Sequence, residues 1–327
     1  GAGRRALGLE DLVFETCVVV AVLVYMGGWV AGYRKNRAVA RRFYEAHRAL
    51  LERNFHHVGE LGSSEADLPV ARSQSEFSLS ATGRVHCSGV LVSLNLVSRQ
   101  DPLSWAYDTF IGQEGDEVVV EIPLDDLDPM TFALIRKTEQ EAYTGEWKDL
   151  QGGLATQPSR LLGRTFSVTA DGPPGQLEDI LGRVPDVATT LRANARYLRA
   201  LHVSDRAIAS PARSGSPSAR GGLLRLLLKL PTDHPEELAL ILKMAFYLVD
   251  LYARVKLTRA ERTAIDRTRS RLTTPESKNL QEKRQEEYQL RKEREWSNLT
   301  EEERRKREER NRMRKLKKRG GTKVIAK

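Results

Sequence analysis

The strongest apolar signal lies near the N-terminus, where Thr16–Tyr33 (TCVVVAVLVYMGGWVAGY) runs for 18 residues without a charge. At about 1.5 Å of rise per residue such a helix spans roughly 27 Å, close to a bilayer hydrocarbon core of about 30 Å. Leu12, Val13 and Phe14 add most of a turn, which leaves Glu15 at the headgroups. Trp29 and Tyr33 suit the aromatic belt of a membrane interface. A core helix this long and apolar is uncommon. A cleaved signal would continue past a small-residue cleavage site, whereas Tyr33 runs into Arg34, Lys35 and Arg37. The pattern predicts one transmembrane helix over 16–33. Gly27, Gly28 and Gly32 make one side of it small. Gly28 and Gly32 form a small-xxx-small pair, the expected face for a partner helix, with chance enrichment of glycine as the alternative.

Beyond Tyr33 the period changes twice. Asn36 to Phe55 reads as an amphipathic helix continuing from the span, with Val39, Phe43, Ala46, Leu50 and Leu51 on one side. Gly59 to Ser75 is polar and reads as a linker. Alternation then sets in. Val90, Val92, Leu94 and Leu96 share a face opposite Ser93 and Asn95, and Val118, Val120 and Ile122 repeat the pattern. Phe166, Val168 and Ala170 do the same, as do Leu224, Leu226, Leu228 and Leu230, with Arg225 and Lys229 turned outward. Thr131–Ile135 is a weaker strand leading into a helix near 136–150. Helical stretches are expected around Pro102–Phe110 and Pro174–Leu198. The clearest is His234–Lys256, where Leu238, Ile241, Leu242, Ala245, Leu248, Val249 and Tyr252 keep helical spacing behind an Asp233/Glu236 cap. Asp205–Gly222 reads as a flexible Ser/Pro/Gly/Arg insertion.

These elements predict an α+β cytosolic domain, preceded by one transmembrane helix and followed by a long charged helical (coiled-coil-like) tail. The expected divisions are a short luminal stub over 1–15, the span over 16–33, the domain over 34–256 with its juxtamembrane helix over 34–58, and a basic tail over 257–327.

Charge sharpens this picture. The chain has a net charge of +9, and residues 276–327 carry 19 Lys/Arg against 11 Glu, so nearly all the excess sits in the tail. Glu287–Arg291, Glu301–Arg305, Glu302–Lys306, Glu303–Arg307 and Glu308–Arg312 are i,i+4 pairs in the favourable order, together contributing on the order of 1–2.5 kcal/mol to a solvated helix. From Arg310 onward nine cations occur with no acid: Arg310, Arg312, Arg314, Lys315, Lys317, Lys318, Arg319, Lys323 and Lys327. They are the expected contact for a polyanion such as nucleic acid; a solvated charge run is the bland alternative. Anionic lipid is another partner, although Arg304–Arg319 offers only Met313 and Leu316 for insertion into an interface. Seven Arg/Lys against two Glu over 34–53 place the C-terminal bulk in the cytosol and the N-terminus across the membrane.

No catalytic constellation is visible, so no enzyme, cofactor or metal is expected. GRVHCSG (83–89) lacks the Lys-Ser/Thr of a phosphate loop, and adjacent His56 and His57 do not suit metal ligation. Asp125, Asp126 and Asp128 lack the glycine and closing glutamate of a calcium loop. Cys17 and Cys87, one in the span and one near a strand, are not expected to pair.

At TGRVHCSGVLVSLNLVSRQD (82–101) the chain resembles the calumin family, coiled-coil-tailed membrane proteins of the endoplasmic reticulum and subunits of the PAT complex in the multipass translocon. YRKNRAVARRFYEAHRALLERNFHHVG (33–59) is similar to the family's segment after its membrane helix, and LKKRGGTKVIAK (316–327) to its basic C-terminus. The resemblance covers most of the chain and is loose over 151–222. It implies an endoplasmic reticulum membrane protein associated with ribosomes and the Sec translocon. With a small Asterix-like membrane partner it would act as an intramembrane chaperone for nascent multipass proteins, its tail lying along the ribosome. The family's long acidic luminal segment, linked to calcium, is here a stub of about a dozen residues, so a calcium-homeostasis role is the lesser reading.

Overall fold

The computed structural model of the chain describes residues 9–59, 68–101, 115–151, 154–206 and 222–273. Helix α1 (Leu9–Asn54) is continuous, so the expected span and juxtamembrane helix are one rod. Among the described residues this is the one helix long and apolar enough to cross a membrane. Its apolar side chains between Val18 and Val30 stand exposed, as lipid contact requires.

Ten strands follow: β1 (His57–Val58), β2 (Val70–Ala71), β3 (Glu76–Thr82), β4 (Val90–Asn95), β5 (Glu117–Leu124), β6 (Thr131–Arg136), β7 (Ala155–Ser159), β8 (Gly163–Ala170), β9 (Leu198–Ser204) and β10 (Gly222–Lys229). They form one sheet in the order β1-β3-β4-β5-β10-β9-β6-β8-β7, with β2 also pairing β3 and every pairing antiparallel. The helices are α2 (Gln140–Glu146), α3 (Gln176–Gly182), α4 (Pro185–Ala193), α5 (Ala239–Arg254) and α6 (Arg259–Thr273). The domain is therefore α+β.

Strand alternation sorts side chains onto two faces. Val90, Val92, Leu94, Val118, Val120, Ile122, Leu224, Leu226 and Leu228 enter the main core, beneath α1, α3, α4 and α5. In the middle of the sheet Leu226 lies opposite Val120 on β5 and Leu201 on β9. The other face carries a smaller core, in which Tyr143, Trp147, Leu150 and Leu154 cover Val119, Ala133, Ile135, Ala200, Leu223 and Leu227.

That second layer corrects the expectation for Arg225, which is not turned to solvent. It is 1% exposed, with Nε 3.1 Å from Glu121 and Nη1 donating to the Tyr143 hydroxyl at 3.0 Å. Its guanidinium lies over the Tyr143 and Trp147 rings, which can accept a cation on their faces. On the next strand His202 Nε2 meets Asp149 at 2.9 Å. Alternation placed Arg225 on the right face; only α2 decided that the face is covered.

Several other expectations change. The Gly59–Ser75 linker contains β2 and the buried Leu68. The stretch from Pro174 to Leu198 is two helices and the start of a strand, β9. On α1 it is Ala40, Tyr44 and His47 that are buried beside Val39, Phe43 and Leu51, while Ala46 is exposed. Asp233 caps nothing: a 3-10 turn, Pro235–Leu238, leads into α5 and neither start has a side-chain cap. Residues 259–273 pack on the domain as α6, with Ile265 fully buried, so the folded unit runs past the expected boundary at Lys256. The expected helix Pro102–Phe110, most of the insertion at 205–222, and the tail beyond 273 lie outside the described residues.

Candidate functional site at the helix anchors

Arginines fasten both the long apolar helix α1 and the C-terminal helix α6 to the rest of the domain. The first joint lies at the end of the span. Gly32 is packed so closely that a Cβ there would come within 2.0 Å of the Arg99 carbonyl oxygen. One turn on, Asn36 is fully buried, an unusual place for an amide unless it is satisfied. Its Nδ2 donates to the Val97 carbonyl at 3.1 Å and to Gln100 Oε1 at 3.2 Å, and its Oδ1 accepts from Arg99 Nη1 at 3.0 Å. Arg99 in turn forks onto the buried Asp116 at 2.8 and 2.6 Å, a bidentate pair of the strong charge-assisted kind. Asp116 also accepts from the Val97 amide at 2.8 Å. The loop 97–101 is thereby fastened at the level of the last turn of the apolar segment.

The second anchor closes the far end of α1. In GRVHCSG, Gly83 adopts φ +88° and a Cβ there would meet His56, so the tight turn after β3 requires glycine. The turn aims Arg84 at three partners: Asn54 Oδ1 at 2.8 Å, the Phe246 carbonyl at 3.2 Å and Asp250 Oδ2 at 2.7 Å. It ties the C-terminus of α1 to α5, where Phe55 packs edge-on against Phe246. Between the anchors, His47 is buried with Nδ1 2.8 Å from the Phe43 carbonyl. Burial lowers its pKa, with the Phe43 bond opposing, which favours the neutral ring.

The third anchor holds the root of the tail. Arg269 on α6 reaches the ends of three adjacent strands: Nε to Asp171 Oδ2 at 2.7 Å, and Nη1 and Nη2 to Asp205 at 2.9 and 2.7 Å, with Thr131 Oγ1 at 3.4 Å. At the start of α6, Asp128 accepts from the Leu257 amide and from Arg262, both at 2.8 Å. Burial raises the pKa of Asp171, against the Thr131 amide and Arg269, which lower it.

Of the residues singled out in the sequence, Gly32 is brought into the first joint, against the chain's own loop, and Gly28 is half-buried one turn deeper. The nine tail cations lie outside the described residues. Asn36, Arg84, Arg99, Asp116 and Arg269 were not singled out. An Asn on the apolar side of a helix was the one readable signal; arginines at strand and loop ends look alike in a sequence. Among the described residues no group of three or more His, Cys, Asp or Glu is placed to hold a metal. Cys17 and Cys87 are both free, as expected.

An apolar helix long enough to span a bilayer, built without a break into the core of an α+β domain, marks the class as a membrane protein with a folded α+β domain. The chain matches the family model for PAT complex subunit CCDC47 over residues 11–318, and it belongs to that family. It is 26% identical over 306 residues to the PAT complex subunit CCDC47 of Danio rerio and 25% identical over 310 residues to that of Homo sapiens, covering 87% of this chain each time. An uncharacterized protein of Arabidopsis thaliana is 22% identical over 268 residues, 78% of this chain and 53% of its own length. The chain spans 62% of the length of the two animal relatives, and none of the three carries an enzymatic name.

Proposed function

We propose that this chain is a non-enzymatic subunit of an endoplasmic reticulum ribosome–translocon assembly, serving as an intramembrane chaperone or assembly factor for nascent multipass proteins. The observation that carries the reading is the unbroken α1, half exposed and apolar, half seated in the domain core. Such a rod converts the position of the domain into a fixed position of the span, which a scaffold beside a translocon needs. The N-terminus is luminal and the domain and tail cytosolic. A small Asterix-like partner helix would approach α1 at Gly28, the half-buried position one turn before Gly32, because Gly32 itself is closed by the loop 97–101. The Sec translocon lies beside it.

The tail supplies the ribosome contact through Arg310, Arg312, Arg314, Lys315, Lys317, Lys318, Arg319, Lys323 and Lys327. Cations that neutralise phosphates release counterions, so this contact weakens steeply with salt. The test removes residues 310–327 and measures co-sedimentation with ribosomes across a salt series. The truncated chain is expected to lose most of the binding at moderate salt while staying membrane-integrated. Binding retained with the same salt slope would remove the tail from the reading.

A further inference from the structure

We propose that the exposed side of α1 just past the span is a binding collar for anionic lipid headgroups. The proposal rests on reading α1 as a membrane span, and it assigns a ligand to residues outside the tail.

Gly32, Asn36, Val39, Ala40 and Phe43 mark the side of α1 turned into the domain. Arg34, Arg37 and Arg41 recur at spacings of three and four on the opposite side, with Lys35 and Arg42, seven apart, flanking them. All five are exposed. Arg41 is paired with Glu45 at 2.9 Å. Arg34, Lys35, Arg37 and Arg42 have no ion pair among the described residues. The described part of the domain packs on the other side of the rod.

Depth selects the ligand. The headgroup layer is roughly 5–8 Å thick on each side of the hydrocarbon. At about 1.5 Å per residue, Arg34, Lys35 and Arg37 stand within about 6 Å of Tyr33 along the axis, inside that layer. Arg41 and Arg42, about 12–14 Å along, are beyond it but within about one screening length of its outer edge. Trp29 stacks on Tyr33 with ring centroids 6.2 Å apart, an aromatic pair suited to the boundary itself. The joint at Gly32 and Arg99 prevents the collar from rotating away, since turning α1 would drive the helix into the loop 97–101. Basic residues held at this depth attract the phosphatidylserine and phosphatidylinositol of a cytosolic leaflet. An RNA would have to enter the headgroup layer to reach the same three side chains.

The test reconstitutes the full chain in phosphatidylcholine bilayers and measures, by electron spin resonance of spin-labelled lipids, the preference of the protein-contacting lipid for phosphatidylserine over phosphatidylcholine. The wild type is expected to show a preference of at least about threefold at low salt, fading at high salt. In the Arg34→Gln, Lys35→Gln, Arg37→Gln variant it should fall to near unity with the unfolding temperature of the domain unchanged; in the chain lacking 310–327 it should persist. A wild type without preference, a triple variant that keeps it, or a truncated chain that loses it would overturn the proposal. So would a triple variant that loses ribosome co-sedimentation while its lipid preference stays intact, since the collar would then face RNA. Extraction of the wild type from bilayers by alkaline carbonate would be a different failure, that of the span itself.

Discussion

Where α1 enters the domain the contact is long and apolar; where α6 leaves it the contact is short and ionic. Val39, Ala40, Phe43, Tyr44 and Leu51 are buried along three turns of α1, and Phe55 follows just past its end. Two arginine clamps close the ends of that seam. Helix α6 buries Ile265 completely, rests the partly buried Leu272 on the smaller core, and is fastened by Arg269 and by Asp128. Apolar burial is not screened by salt and has no titration of its own, whereas a charged clamp loses strength when its partner is removed or neutralised. The membrane side of this domain is thus joined through a long apolar seam, and α6 through a smaller contact that is expected to open before the sheet does.

The largest break in that contrast should come from Phe43→Ala. Truncating a fully buried ring between α1 and the sheet should cost about 3–5 kcal/mol. Because α1 is part of the core, the loss should appear as unfolding of the whole domain, seen as a lower midpoint in denaturant. A variant that frees only α1 while the sheet keeps its midpoint would show that the rod is not built into the core.

Arg269→Ala should act locally. It leaves Asp171 and Asp205 facing each other without their cation, costing about 2–4 kcal/mol. Amide exchange should accelerate over 259–273 with little change in β4, β5 or β10. Arg269→Lys should rescue only part of this, since an ammonium cannot span both carboxylates with the geometry of the guanidinium fork. Exchange rising equally throughout the sheet would mean that α6 is as integral to the fold as α1.

The smallest effect sharpens the comparison through pH. His47 has its pKa depressed by burial, so the unfolded chain takes up a proton at higher pH than the folded one. Its contribution is therefore fully present above the ordinary imidazole value of about 6.5 and is lost as pH falls below it towards the depressed folded value. Stability of the wild type should decline over that window, and His47→Gln should flatten the decline. An unchanged slope in the variant would place the titration elsewhere.

Much of the molecule was legible without coordinates. Eighteen uncharged residues marked a helix long and apolar enough to cross a bilayer. Alternation located β4, β5, β8 and β10 and identified their core-facing residues, since strand geometry alone fixes which side chains share a face. Helical spacing found α5 with the same economy. The basic terminus was equally plain, as charge is a property of composition.

What the sequence left open was decided by contacts between distant residues. Strand β9 was not read as a strand, its first residue Leu198 ending an expected helix, because LRALHVS alternates weakly; β10 and β6 flank it and make it one. Arg225 sits on the face alternation predicts, yet whether that face meets water depended on α2 folding across it. Asn36 finds its partners 38–64 residues away, and Arg269 its own 64–138 away. No local pattern encodes such a pairing, because a buried arginine and a solvated one are the same letter until the carboxylate arrives. Local periodicity marked the long apolar helix, α5 and the most regular strands; the sheet, once assembled, chose which charges it would hold and so where the rod and α6 attach.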